Sequence, residues 1–161
     1  SCLLTLRDEF NAILPGEQTT ALAERAMLFE EFVAQEAKAQ RFKAEFKPTM
    51  RKRALLHGHC HQKAFAAMGA IEKTLELVPG LEVETVNSSC CGMAGAFGYQ
   101  AETYEVSMKM AEVSLLPAVR AEASESYIVA DGTSCRHQIK DGAARNALHV
   151  ARVLDEALVA G

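Results

Sequence analysis

No apolar run in the 161-residue sequence is long enough to span a bilayer, and Ser1 to Phe10 carry neither a basic leader nor a small-residue cleavage pattern. The expectation is a cytoplasmic protein. An excess of basic charge is also missing: the net charge is -4, with acids and bases scattered along the chain. A nucleic-acid binder would need a basic face, so that class is set aside. "KPTMRKR", Lys47 to Arg53, is the only basic cluster and reads as a solvated linker ahead of a strand. The five cysteines are too few and too unevenly spaced for a disulfide scaffold, and their odd number leaves at least one unpaired within a monomer. No C-x-x-C occurs, which argues against a directly exchanging dithiol. There is no fixed-period repeat and no low-complexity tract. A dinucleotide fingerprint is lacking too, because "GMAGAFG" follows cysteines and has no acidic partner.

What is present begins with helical periodicity. Leu3, Leu6, Phe10 and Ile13 recur at three- and four-residue steps until "LPG" breaks them. A second stripe of Leu22, Ala26, Phe29 and Val33 follows, with Thr19 and Thr20 as its cap. Residues 1–46 therefore read as an N-terminal helical segment and residues 47–161 as the main body. From Arg53 the pattern becomes strand, loop, helix, repeated three times, which predicts an α/β fold. It is a Rossmann-like parallel sheet of three to four short strands flanked by helices. The strands are Ala54 to His57, Leu81 to Val86 and Ser126 to Asp131. Ala64, Met68, Ile71 and Leu75 mark one helix; Tyr104, Met108, Ala111 and Leu115 mark the next; Ala151, Leu154 and Leu158 mark the last.

Cys60, Cys90, Cys91 and Cys135 all fall just after strand ends. In an open parallel sheet those loops emerge on one edge, where ligands bind in this fold class, so four thiols up to 75 positions apart can meet there. Such thiolates suit zinc or iron and sulfide; hard cations would have recruited carboxylates. Histidines collect in the same loops. His59, His61 and His137 read as metal ligands or as donors to ligating sulfur, whereas His57 and His149 read as solvated or helix-capping side chains. In "SSCCGMAGAFGY", adjacent thiolates on a tight turn can reach different metal atoms, and Gly92 and Gly95 leave room for backbone to close over inorganic sulfide. Freed amides there would point at the anionic cofactor.

"HGHCHQKA", "SSCCGMAGAFGY" and "ADGTSCRHQI" together resemble the cysteine-rich CCG domain of heterodisulfide reductase and glycolate oxidase iron-sulfur subunits. They look most like the C-terminal region of fused FAD-linked oxidase and iron-sulfur proteins of the D-2-hydroxyacid dehydrogenase type. The resemblance implies Cys60, Cys90, Cys91 and Cys135 as ligands of an iron-sulfur cluster or a zinc ion. Gln138 stands where the last motif often has a second cysteine, which makes His137 a substitute ligand. It further implies that "SCLLTLRDEF" closes a preceding CCG copy, to whose site Cys2 would belong. The implied partners are FAD and ferredoxin-like domains elsewhere in the same protein and an acceptor such as a quinone. The setting would be cytoplasmic, peripheral to the inner membrane. The piece alone would have no turnover and would expose an apolar patch able to self-associate. A structural or sensory zinc module without redox turnover is the rival expectation.

Overall fold

The computed structural model describes residues 2–88 and 90–159. Three parallel strands form the sheet: β1 (Arg53–Leu56), β2 (Glu82–Thr85) and β3 (Tyr127–Val129), in the order β2-β1-β3. The expected strands are present: β1 lies one residue earlier than expected, and β2 and β3 are trimmed at both ends. β1 is central, with Leu55 opposite Glu84 on one side and Ile128 on the other. Side chains alternate across a strand, so Ala54 and Leu56 join one apolar layer with Tyr127 and Val129, and Leu55 joins the other with Ile128. β2 is an edge strand carrying Glu82 and Glu84. Arg53 bonds Glu84 at 2.9 Å and Glu122 at 3.3 Å, charges that discourage pairing of that edge with another chain.

The N-terminal segment holds four helices where two apolar stripes were expected: α1 (Cys2–Arg7), α2 (Glu9–Ile13), α3 (Glu17–Arg25) and α4 (Phe29–Lys38). Thr19 and Thr20 lie inside α3 and do not cap it. The second stripe breaks after Ala26 because Glu31 turns back to accept the Leu28 amide at 2.8 Å. The same carboxylate takes a two-pronged bond from Arg7, at 3.0 and 2.6 Å. One side chain thus starts α4 and ties it to α1. The side chain of Cys2 lies outside the described residues.

Beyond β1 come α5 (Cys60–Ala64) and α6 (Met68–Leu75), which correct the expectation of one helix through Ala64 and Leu75. Ala66 adopts φ 55°, and the Ala67 amide reaches back to the Gln62 carbonyl at 2.8 Å, closing α5 in a left-handed reversal normally made by glycine. After β2, a short turn at Phe97–Tyr99 leads into α7 (Ala101–Glu112) and α8 (Leu115–Ala121), so Leu115 opens a new helix. After β3, α9 (Thr133–Ala143) carries Cys135, a residue expected in a loop. α10 (Val150–Ala157) follows. His149 caps α10 by accepting the Ala151 amide at 3.1 Å, as expected. Isolated bridges join Leu148 to Val129 and Leu158 to Phe46.

Two apolar layers cover the sheet. Ile71, Leu75, Val150, Val153 and Leu154 from α6 and α10 pack on one face. Leu115, Val119 and Ile139 from α8 and α9 pack on the other, and Cys91 and Cys135 belong to this second layer. Val106, Met110 and Val113 remain exposed along α7, at helical spacing. No described helix is long and apolar enough to cross a membrane.

Candidate metal centre

All three loops that follow the strands emerge on one edge of the sheet, and the ladder is prolonged there by backbone bonds. The His57 amide bonds the Val129 carbonyl at 2.8 Å, and the Val86 amide bonds the Leu56 carbonyl at 2.8 Å. Cys60 begins α5, Cys90 and Cys91 follow β2, and Cys135 lies in the first turn of α9. The thiols converge in two tiers. Cys60 and Cys90, half-buried, lie near each other and line a cleft of about 560 Å³. Beneath them, Cys91 and Cys135 are buried, with their sulfurs within 4.8 Å of each other.

A ring nitrogen of His57 and the sulfurs of Cys91 and Cys135 all lie within 4.8 Å of one another. Donors about 2.0–2.3 Å from a tetrahedral ion sit roughly 3.5–3.8 Å apart, so a small contraction would seat one metal between them. His57 is 1% exposed. Its Nδ1 pairs with the Ser88 hydroxyl at 2.8 Å, while Nε2 is buried without a hydrogen-bond partner. A buried polar nitrogen left unpaired is costly, and a metal would satisfy it. This corrects the expectation that His57 is a solvated or capping residue. The donor set of soft sulfur and imidazole fits zinc or iron.

Electrostatics divide the thiols. Cys91 is pulled down to about 4, first by the hydrogen bond from Cys135 and then, against burial, by the His57 ring and the Met93 backbone. Cys135 is pushed strongly upward, first by that same bond to Cys91 and then by burial, as when two sulfurs share one proton. Burial, followed by the bond to Cys90, lifts Cys60 to about 11. Cys91 is therefore the thiolate beside which Cys60 and Cys135 remain thiols until a cation arrives.

The histidines singled out in the sequence have different surroundings. His59 lines the cleft and caps α5, its Nδ1 accepting the His61 amide at 3.2 Å; burial holds its pKa below the usual imidazole value. His61 also lines the cleft, with Nδ1 buried and without a hydrogen-bond partner. His137 lies on α9, pairs with the Tyr99 hydroxyl at 2.8 Å and lines none of the cleft. Gln138 is buried and donates to the Ser107 carbonyl and hydroxyl at 3.1 and 3.0 Å, which rivets α9 to α7.

The glycines also separate. Gly92 has φ 87°, and its amide donates to the Cys90 sulfur at 3.3 Å. The close approach it permits is to the protein itself, since a Cβ there would meet the Ser107 carbonyl oxygen at 2.1 Å. Gly95, φ 55°, lines the cleft with nothing within 4 Å of a built Cβ. Gly132 was missed: its Cβ would stand 2.6 Å from the His59 ring and 2.9 Å from the Cys135 sulfur. Only a residue without a side chain lets those two groups close on each other. Gln62 was missed as well. Its amide nitrogen donates to Glu30 at 2.7 Å and Asp131 at 2.9 Å, and its oxygen accepts the His59 amide at 3.0 Å, fastening α4 and the end of β3 to the first cysteine loop.

With this geometry in place, similarity to known proteins gains meaning. No family model matches the chain, and no solved structure matches it significantly. It is 32% identical over 111 residues to a component of the anaerobic glycerol-3-phosphate dehydrogenase of Escherichia coli (strain K12), an alignment covering 66% of this chain and 26% of that component. It is 38% identical over 61 residues to the D-2-hydroxyglutarate dehydrogenase of the same strain, covering 38% of this chain and 6% of that protein. The corresponding dehydrogenase of Pantoea ananatis (strain AJ13355) is 34% identical over 61 residues, again 38% of this chain and 6% of that protein. The chain thus spans about a quarter or less of the curated relatives it matches. Its homologues are oxidoreductases, and its own folded body carries a metal-competent cluster of cysteine and histidine.

Proposed function

We propose that this chain is a CCG-type iron-sulfur domain that carries electrons within a larger FAD-linked dehydrogenase acting on a D-2-hydroxyacid. The observation that carries the reading is the meeting of four thiols from the three segments that follow the strands, at one sheet edge beside an open cleft. Similarity to dehydrogenase subunits and domains supports it. Cys60, Cys90, Cys91 and Cys135 would hold the cluster, which when bound supplies a site that takes up and gives off single electrons. The protein's own groups shape that site. The Gly92 amide points at the Cys90 sulfur, and hydrogen bonds to ligating sulfur raise a reduction potential. Met93 and Ala94 cover one wall, while His59 and His61 place imidazole beside the thiols.

In this reading a flavin domain elsewhere in the whole protein would take the hydride from the hydroxyacid, whose hydroxyl proton would pass to a base as the 2-oxoacid forms, and this domain would lie on the one-electron route, with ferredoxin-like domains, towards an acceptor such as a quinone. Residues 1–46 form a helical segment docked on the 47–161 body. The test is anaerobic loading with iron and sulfide. Iron and acid-labile sulfide in the product, with visible absorption bleached by dithionite, are the expected result; colourless protein with stoichiometric zinc overturns it. That second outcome would favour a structural zinc module, a reading supported by the fit of His57, Cys91 and Cys135 around a single ion.

A further inference from the structure

Deepening the proposed function and resting on it, we propose that the centre has a mixed nitrogen and sulfur donor set, in which His57 binds metal through Nε2 and Ser88 and Lys63 act as its positioning residues. Three observations on the buried side of the site lead there. First, the His57 ring is almost wholly buried and stands within 4.8 Å of both inner sulfurs, yet its Nε2 has no hydrogen-bond partner.

Second, the opposite ring nitrogen is fixed. Ser88 Oγ stands 2.8 Å from Nδ1, and the Lys63 ammonium donates to the Ser88 carbonyl and reaches Ser88 Oγ at 3.4 Å. An ammonium only donates, so it occupies one lone pair of the hydroxyl oxygen, and the second lone pair can accept Nδ1–H. In the Nδ1–H tautomer, the one a metal at Nε2 requires, Ser88 Oγ accepts from the ring and the Nε2 lone pair faces the sulfurs. Metal-bound histidines are normally aimed in this way, with the other ring nitrogen donating to an outer partner.

Third, the arrangement is anchored by the sheet. His57 is bonded through its amide to β3, and Ser88 through its amide to the Val86 carbonyl at 2.8 Å. A neutral imidazole in place of a thiolate lowers the negative charge of the centre, which raises its reduction potential. The proposed consequence is a centre that accepts electrons more readily than an all-thiolate one built on the same scaffold.

The test uses the full chain, loaded anaerobically with iron and sulfide and grown with isotopically labelled histidine. Pulsed electron paramagnetic resonance of the paramagnetic oxidation state should show strong hyperfine coupling to a directly bound nitrogen. It should vanish in His57→Cys, which keeps the iron and lowers the potential, and persist in His59→Ala, His61→Ala and His137→Ala. Ser88→Ala should weaken metal affinity about 10- to 100-fold, with rescue by Ser88→Thr. An iron-sulfide centre without nitrogen coupling in the wild-type chain overturns this inference and leaves the proposed function standing. If iron and sulfide do not assemble, the proposed function fails on its own. The cobalt-loaded chain then reads His57 directly: paramagnetically shifted imidazole resonances lost in His57→Cys support the inference, and their absence overturns it.

Discussion

Replacing Gly92 by alanine asks what the turn after the cysteine pair is built to accommodate. Two costs follow from the structure. The residue sits at φ 87°, where a side chain strains the backbone by about 1–3 kcal/mol. The new Cβ would also fall 2.1 Å from the Ser107 carbonyl oxygen, and because that atom belongs to α7 it cannot rotate away. Overpacking of this kind costs about 1–3 kcal/mol. Together they amount to roughly 2–6 kcal/mol, a large share of the roughly 5–15 kcal/mol typical of a domain. Urea unfolding of metal-free protein should therefore show a midpoint shifted far downward at unchanged slope. Gly95→Ala is the control: with nothing within 4 Å of its Cβ, only the left-handed backbone cost of about 1–2 kcal/mol applies. If Gly92→Ala unfolds within about 0.5 kcal/mol of wild type, a surface-like cost, the packing against Ser107 is wrong. The glycine would then be reserved for something outside the protein.

Other perturbations probe separate links. Gln138→Ala removes two hydrogen bonds and leaves Ser107 unpaired in the interior, so denaturant unfolding should register a loss of about 2–4 kcal/mol. Glu30 is buried, and its pKa is raised, chiefly by burial and then by Asp131. A raised carboxyl contributes stability at acid pH that is lost as pH climbs through its folded value. Glu30→Gln should accordingly equal wild type in acid and become progressively more stable than it towards neutrality, as read by thermal melts across pH. Metal bound only by the folded state, at about a thousandfold excess over its dissociation constant, should add about 4 kcal/mol, seen as a higher calorimetric midpoint that a chelator reverses. Arg7→Ala should detach α1 from α4 and raise hydrogen exchange in the N-terminal helices while sparing β1.

Much of this architecture could be anticipated from short patterns. The strand segments around Leu55, Val83 and Ile128 announce themselves by β-branched and aliphatic residues between turn signals, and cysteines placed after each of them pointed to one sheet edge. α9 was hidden because its buried face is Cys135, Gln138 and Ile139, of which only Ile139 counts as apolar in a periodicity search. The break at Ala66 carried no signal because alanine occupies a conformation that usually requires glycine. His57 was misread for a different reason. A histidine at the end of a strand looks exposed in sequence, and only the packing of α9 and the second cysteine loop over it makes it an interior group. Gln62 and Ser88 act through partners dozens of positions away, a relation that local pattern does not encode.

The separation of the sulfur-bearing loops bears on how the protein comes into being in the cell. Contacts between segments so distant along the chain form late and slowly, because closing long loops precedes any reward from them. A nascent chain that stops short of Cys135 cannot present the whole donor set, however well its first strands have folded. Any metal that this donor set binds would therefore be acquired as a finishing step, on an already built scaffold whose cysteines line an open cleft.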